Sequence, residues 1–99
     1  MKICIYGAGA IGGYLAGSLA NAGIDTSIVV RGAHLQAIQS SGLTVETKEG
    51  TFTTRPRASA NPADLGPQDA VLVTVKAPSL PSVAASIAPL LKADTPVVF

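Results

Sequence analysis

A glycine-rich loop near the amino terminus has residue types and a spacing that suit binding of a diphosphate. It runs Gly7-Ala8-Gly9-Ala10-Ile11-Gly12. In loops with this spacing the first glycine makes a tight turn, the second lets the backbone approach a pyrophosphate, and the third lets a helix pack closely on a strand. Free N–H groups at the start of the following helix, together with the helix dipole, favour an anion. We therefore predict that these six residues bind the pyrophosphate of a dinucleotide.

One basic side chain, Arg31, stands about 20 residues after the loop, where NAD sites usually carry an acidic residue that binds the ribose 2′-hydroxyl. No carboxylate occurs between Val29 and Val45, so nothing in this segment would repel a 2′-phosphate. A guanidinium pairs with phosphate through charge-assisted hydrogen bonds. We therefore predict that the cofactor is NADP and that Arg31 binds its 2′-phosphate. The alternative is a surface arginine that caps a helix or pairs with a neighbouring carboxylate.

Lys76 follows the apolar run 70–75 and therefore emerges at the carboxyl edge of the predicted sheet, where open α/β folds bind ligands. A lysine there can neutralise phosphate or orient a substrate carbonyl, and the alternative is a lysine that only ends a strand. We predict that Lys76 contacts the cofactor. His34 is predicted to be a solvated residue of the second helix. The acidic residues show no spacing suited to metal ligation or acid–base catalysis, so no metal site is predicted.

Hydrophobic periodicity predicts the elements that position these residues. A strand at 3–6, a helix over 10–22 and a strand at 26–30 place the loop in a βαβ unit, which favours a dinucleotide site over a purely structural glycine turn. A helix at 32–42 and an antiparallel hairpin with strands 43–47 and 51–54 follow. A surface connection over 56–67, with one helical turn near 63–65, leads to a buried strand at 70–75. The last predicted elements are a helix from Leu80, which Pro89 kinks or ends, and a strand from Pro96.

This order of elements predicts an α/β fold. We expect a Rossmann-type, doubly wound, mainly parallel sheet with an inserted β-hairpin, in which residues 1–99 form a partial dinucleotide-binding domain. The composition agrees, because 47% of the 99 residues are hydrophobic and only 13% are charged, which suits buried parallel strands. The formal net charge is +1 and no basic run appears, so we expect no nucleic-acid partner.

The sequence also predicts where the protein is found. No apolar run reaches the ~18–20 residues that span a bilayer, so no membrane segment is predicted. The small residues Ala20-Asn21-Ala22 mimic a secretory cleavage site, but glycines interrupt the preceding stretch, and we predict no signal peptide. The single cysteine, Cys4, excludes an internal disulfide and indicates a reducing compartment. We therefore expect a cytoplasmic protein.

Several segments of the chain occur together in a known family. They are Met1-Lys2-Ile3, the glycine loop with Gly13-Tyr14, Val30-Arg31-Gly32-Ala33-His34-Leu35, Gly42-Leu43 and Val73-Thr74-Val75-Lys76-Ala77. In combination they resemble the amino-terminal part of the ketopantoate reductase (2-dehydropantoate 2-reductase) family, over the whole chain. The resemblance implies a Rossmann domain followed by a helical carboxyl-terminal domain. It also implies reduction of 2-dehydropantoate to pantoate with NADPH, in the pathway to pantothenate and coenzyme A.

The resemblance assigns each contact to a part of NADP: the pyrophosphate to Gly7, Gly9 and Gly12, the 2′-phosphate to Arg31, and the nicotinamide half to Lys76. One departure is Pro78-Ser79, where family members usually carry an aromatic residue and a glutamine. The family's Asn-Gly motif and its lysine general acid would both lie beyond Phe99. We therefore expect a truncated chain without the helical domain or any catalytic residue, which does not turn over by itself.

Two other functions remain open. One is another NADP-linked reductase of 2-keto or 3-hydroxy acids with the same two-domain plan. The other is a non-catalytic module that senses nucleotides, since the same fold serves many functions. For the reductase the expected partner is a small 2-keto acid. The sequence does not predict the oligomeric state, and a homodimer is one option for the parent protein.

Overall fold

A parallel β-sheet with helices on both faces forms the centre of the chain in the computed structural model, which describes residues 1–7, 9–75 and 77–99. The helices and strands are, in chain order, β1 (Lys2–Tyr6), α1 (Ala10–Asn21), β2 (Asp25–Val29), α2 (Gly32–Ser41), β3 (Leu43–Thr47), β4 (Gly50–Thr54), β5 (Arg57–Ser59), β6 (Ala70–Val73), α3 (Leu80–Ser86) and β7 (Val97–Val98). Short 3₁₀ turns lie at Pro62–Asp64, Ala77–Ser79 and Ala88–Leu90.

The five-stranded sheet has the strand order β5-β2-β1-β6-β7, and every pairing in it is parallel. The chain winds outward from β1 through β2 to β5, then crosses back to β6 on the other side of β1. The strand order therefore reverses between β1 and β6, which confirms the predicted Rossmann-type, doubly wound fold. Ligands in such sheets bind outside the carboxyl ends of the strands, at this reversal.

Two apolar clusters cover the two faces of the sheet. Successive residues of a strand point to opposite faces, so Cys4 belongs to one cluster and Ile5 to the other. The buried members are Cys4, Val29, Leu65, Val71, Val73, Val83 and Leu90 on the α3 face, and Ile5, Ala16, Ile28, Val30 and Ile38 on the face of α1 and α2. Cys4 is fully buried, and this burial raises the pKa of its thiol to about 11. Cys4 thus acts as a small core residue.

The predicted hairpin is confirmed as a separate two-stranded antiparallel sheet of β3 and β4. It packs on α1, and the contact is close because Gly17 has no side chain: a Cβ there would lie 2.2 Å from Cγ2 of Val45. Gly42 joins α2 to the hairpin with a φ of 79°, which favours glycine. Its N–H donates to the carbonyl oxygen of Ile38, as expected for a residue that ends a helix.

One strand of the sheet was not predicted from the sequence. The segment 56–67 was expected to be a surface connection, but Arg57–Ser59 form β5, which extends the parallel sheet beyond β2. A strand of three residues has no hydrophobic periodicity of its own, and its backbone hydrogen bonds to β2 define it. The predicted helical turn is present at Pro62–Asp64, where the Asn61 side chain accepts a hydrogen bond from the Ala63 N–H at 3.1 Å.

Other differences concern the ends of elements. The strand predicted at 70–75 ends at Val73, and the two residues after it belong to the functional site described below. The helix from Leu80 ends at Ser86, and Pro89 lies in the 3₁₀ turn that follows, as expected for a proline that ends a helix. Within the described ranges, no helix combines the length and the apolar character needed to cross a membrane.

Candidate functional site

A cavity of about 330 Å³ opens at the carboxyl edge of the sheet, beside the reversal of strand order. Its volume falls within the range of small-molecule sites, about 300–1,000 Å³. The residues that line it are Tyr6, Gly7, Val29, Val30, Arg31, His34, Ala60, Val75, Ser79, Ser82, Val83 and Ser86. They come from the ends of β1, β2, β5 and β6, from the start of α2 and from the length of α3. The topology thus brings distant segments to the place where this fold binds ligands.

The three glycines of the loop each have a geometry that suits the role predicted for them. Gly7 has a φ of 115°, which other residues rarely adopt, and a Cβ there would lie 2.8 Å from Cγ1 of Val75. A Cβ on Gly12 would lie 2.5 Å from the carbonyl oxygen of Gly7, so the helix and the strand meet without room for a side chain. By contrast, a Cβ on Gly9 would meet no described atom within 4 Å. The open space at Gly9 leaves the backbone accessible to a ligand.

The start of α1 offers backbone donors at this opening. Among the described residues, the first helical hydrogen bond runs from the Gly13 N–H to the carbonyl oxygen of Gly9, at 2.9 Å. The N–H groups before Gly13 therefore have no acceptor within the helix. No side chain of the described residues caps this end and the first turn contains no acidic residue, so none of them neutralises the positive end of the helix dipole there. Ile11 has a side chain that is 70% exposed, and its expected contribution to the site is its backbone N–H.

Arg31 and His34 line the cavity from the start of α2, and both are exposed. Arg31 occupies the N-cap position, and its side chain makes no capping hydrogen bond. Among the residues that the structure describes, the carboxylates in ion pairs are bound by other cations, since Asp25 pairs with Arg57 and Asp69 pairs with Lys92. The guanidinium of Arg31 is thus available to a ligand. His34 is solvated, as predicted, but its place at the cavity was missed.

A row of serines also lines the cavity, and the sequence-based analysis missed it. Ser79, Ser82 and Ser86 all line the cavity, and their spacing of three and four residues places them on one side of α3. Val83, also on this helix, is buried against the sheet. The detectable signal was the helical spacing of the serines, which becomes informative only when α3 is known to border the site.

Two predicted site residues, Ala8 and Lys76, lie outside the described residues, as does the Ala10 side chain. The neighbouring Thr74 is described and was not predicted to be functional. Its hydroxyl lies 3.3 Å from the carbonyl oxygen of Gly7 and 3.4 Å from that of Tyr6. Thr74 therefore joins the end of β6 to the glycine loop.

Of the charged groups that the structure describes, those with clearly altered pKa values lie away from the cavity. A hydrogen bond from Lys92 and another from the backbone N–H of Lys2 hold the pKa of Asp69 below its usual value. The same ion pair raises the pKa of Lys92. Asp69 precedes β6 and therefore stands at the amino edge of the sheet, opposite the cavity. In the described part of the chain, no group of three or more His, Cys, Asp or Glu side chains is arranged to hold a metal ion.

Comparison with known proteins gives a consistent result. The family model described as "Ketopantoate reductase PanE/ApbA" matches residues 3–99. A 2-dehydropantoate 2-reductase from Mesorhizobium japonicum is 54% identical over 100 aligned residues, which cover 99% of this chain and 30% of that protein. The chain therefore spans about a third of the length of this relative.

Solved structures give the same picture. A crystal structure from Ralstonia solanacearum MolK2, described as a candidate ketopantoate reductase, is 53% identical with a TM-score of 0.90, and the match covers 96% of this chain and 30% of that one. A ternary structure of D-mandelate dehydrogenase with NADH and anilino(oxo)acetate is 28% identical with a TM-score of 0.81, and the match covers 98% of this chain and 32% of that one.

Proposed function

This chain belongs to the ketopantoate reductase PanE/ApbA family, and from that premise we propose that it is the NADP-binding part of an oxidoreductase that reduces 2-dehydropantoate to pantoate. The observation that carries the proposal is the cavity at the carboxyl edge, because Gly7 of the glycine loop and Arg31 both line it. A family match alone would not identify the cofactor. An arginine at this edge, without a competing carboxylate, favours NADP over NAD.

The described residues fit a dinucleotide that carries a 2′-phosphate. The free N–H groups at the start of α1 suit the pyrophosphate, and the open space at Gly9 admits it. Arg31 would hold the 2′-phosphate, and the serine row of α3 adds hydroxyl groups to the same cavity. When bound, NADPH would supply the hydride that reduces the keto carbon.

In this mechanism the residues of this chain would bind and orient the cofactor. The glycine loop and Arg31 would hold the two phosphate-bearing ends of the adenosine half. We keep the proposal that Lys76, which is the third residue after the end of β6 in the sequence, contacts the nicotinamide half. Effective transfer requires reacting atoms about 3–3.5 Å apart. We also propose that the proton donor for the carbonyl oxygen lies in a part of the protein beyond these 99 residues.

A second candidate is a reductase of another 2-keto acid with the same cofactor half. The structural similarity to a D-mandelate dehydrogenase favours this possibility, since that protein was solved with NADH and an aromatic oxoacetate. The Pro78-Ser79 departure from the family pattern lies beside the cavity and points in the same direction. The glycine loop and the cavity are common to both candidates.

The test measures NADPH oxidation by the full-length natural protein. The panel contains 2-dehydropantoate, a branched 2-keto acid without the hydroxymethyl group, and an aromatic 2-keto acid, each with NADPH and with NADH. We expect the highest kcat/KM with 2-dehydropantoate and NADPH. A higher value with another keto acid would favour the second candidate. Cofactor binding without oxidation of any keto acid would favour the nucleotide-sensing module.

A further inference from the structure

Thr74 occupies the point where the end of β6 meets the glycine loop. Its backbone N–H donates to the carbonyl oxygen of Tyr6 at 3.0 Å, which continues the pairing of β1 and β6 by one residue. Its hydroxyl lies 3.4 Å from the same oxygen and 3.3 Å from the carbonyl oxygen of Gly7. A hydroxyl carries one proton, so it donates to one of these oxygens or shares the proton between them. Thr74 therefore holds the first peptide of the loop.

The same hydroxyl also meets the start of α1. A Cβ on Gly12 would lie 2.6 Å from Oγ1 of Thr74, and a Cβ on Gly7 would lie 3.2 Å from it. Both ends of the glycine loop thus pack on this oxygen. The hydroxyl lies between the turn that begins the loop and the helical turn that ends it.

Packing alone does not require a hydroxyl at this position. Thr74 stands in the run Val71-Leu72-Val73-Thr74-Val75, and valine has nearly the same shape as threonine. A hydroxyl that is partly buried and hydrogen-bonded to a loop carbonyl instead restricts that carbonyl, since losing the bond leaves the acceptor unsatisfied.

We propose that Thr74 is a positioning residue for the diphosphate site. By fixing the Gly7 carbonyl it restricts the peptides that follow, and so the direction of the free N–H groups at the start of α1. Sites that are organised before binding lose less free energy when the ligand is ordered. The ligand of this inference, the diphosphate of NADPH, rests on the proposed function, whereas the effect of Thr74 on the loop does not.

The first experiment compares three variants of the full-length protein by NADPH affinity and by melting temperature. Thr74→Val removes the hydroxyl and keeps the shape, and Thr74→Ser keeps the hydroxyl. Thr26→Val is the matched control, because the Thr26 hydroxyl also donates to a backbone carbonyl, that of Ile24 at 2.9 Å, but at the amino edge of the sheet. We expect Thr74→Val to raise the Kd for NADPH about 3- to 10-fold, and the other two variants to bind like the wild type.

The second experiment needs no cofactor. Amide hydrogen exchange of the ligand-free protein reports on the loop through the N–H groups of Gly7 and Gly13, which are bonded to the carbonyls of Val29 and Gly9. We expect faster exchange over 7–13 in Thr74→Val, and wild-type exchange there in Thr74→Ser and Thr26→Val. If the wild type binds no dinucleotide, the proposed function is wrong, and exchange alone decides the role of Thr74.

Three results would overturn the inference. Unchanged exchange and unchanged affinity in Thr74→Val would show that the loop does not depend on the hydroxyl. A defect in Thr74→Ser as large as that in Thr74→Val would assign the effect to the lost methyl group. An equal defect in Thr26→Val would indicate general destabilisation.

Discussion

Gly17 of α1 lies directly against Val45 of the hairpin, so closely that a Cβ on the glycine would come within 2.2 Å of Cγ2 of the valine. Through this contact the hairpin packs closely on α1, the helix that follows the glycine loop. The neighbouring Gly13, one turn earlier, is less crowded, because its Cβ would lie 3.8 Å from Cδ1 of Leu43. The two glycines therefore serve different purposes in one helix.

We expect Gly17→Ala to destabilise the fold by about 1–3 kcal/mol, because the new methyl group must displace Val45 or the hairpin. Gly13→Ala is the matched control, since alanine there makes an ordinary contact and raises helix propensity by up to about 1 kcal/mol. Urea unfolding measures both. Equal effects of the two substitutions would show that the hairpin adjusts freely to the helix.

Substitutions at Gly9 and Gly12 should have different effects, the first on cofactor binding and the second on stability. Gly9→Ala places its methyl group in open space at a φ of −106°, so we expect a melting temperature close to wild type but an NADPH affinity at least about tenfold lower. Gly12→Ala drives a methyl group onto a backbone carbonyl, and we expect a loss of stability of about 1–3 kcal/mol or more. Titration calorimetry measures the NADPH affinity, and thermal unfolding measures the stability. Full NADPH affinity in a folded Gly9→Ala protein would contradict the approach of the pyrophosphate at this residue.

Arg31 should determine the choice between NADPH and NADH. We expect Arg31→Asp to weaken NADPH binding by at least about tenfold, because a charge-assisted hydrogen bond is replaced by repulsion, and to change NADH binding much less. Arg57→Ala, which removes another exposed arginine from an ion pair with Asp25, should leave both affinities unchanged. Titration with each dinucleotide checks the prediction. An unchanged NADPH affinity in Arg31→Asp would refute the role of Arg31.

The buried thiol of Cys4 should make stability depend on alkaline pH. Its folded pKa is raised from 9.0 to about 11, mainly by burial. The folded state therefore holds the proton more tightly, and this contribution is complete below pH 9.0 and is lost as the pH rises towards 11. We expect the free energy of unfolding of the wild type to fall in this interval relative to that of Cys4→Ala. Parallel curves for the two proteins would show that the thiol titrates normally.

The isolated 99 residues should bind NADP weakly at best and should not catalyse the reaction. We expect no oxidation of NADPH by the isolated chain with 2-dehydropantoate, because the proposed proton donor lies elsewhere in the protein. The full-length protein, assayed beside it, is the positive control. Rapid NADPH oxidation by the isolated chain would place the catalytic group within residues 1–99.

Local patterns were sufficient to predict most of the fold. The glycine loop, the helices at 10–22 and 32–42 and the hairpin each have a signal within a few neighbouring residues, either hydrophobic periodicity or a glycine that a turn requires. Arg31 was proposed in the same way, from its distance from the loop, and its role stays a prediction. These predictions depend on backbone preferences and on amphipathic faces, which are properties of short segments.

Only the tertiary structure revealed β5, the serine row of α3, the packing of Val45 on Gly17 and the position of Thr74 beside the glycine loop. Each depends on a partner far along the chain: Thr74 and Gly7 are 67 residues apart, and the three residues of β5 become a strand through pairing with β2. Such contacts follow from the order of strands and from the close approach of helix and sheet. The sequence by itself identified the glycine loop and the basic residue that we propose for NADP binding, whereas the fold decided which side chains surround that loop, because distant segments meet only when the sheet forms.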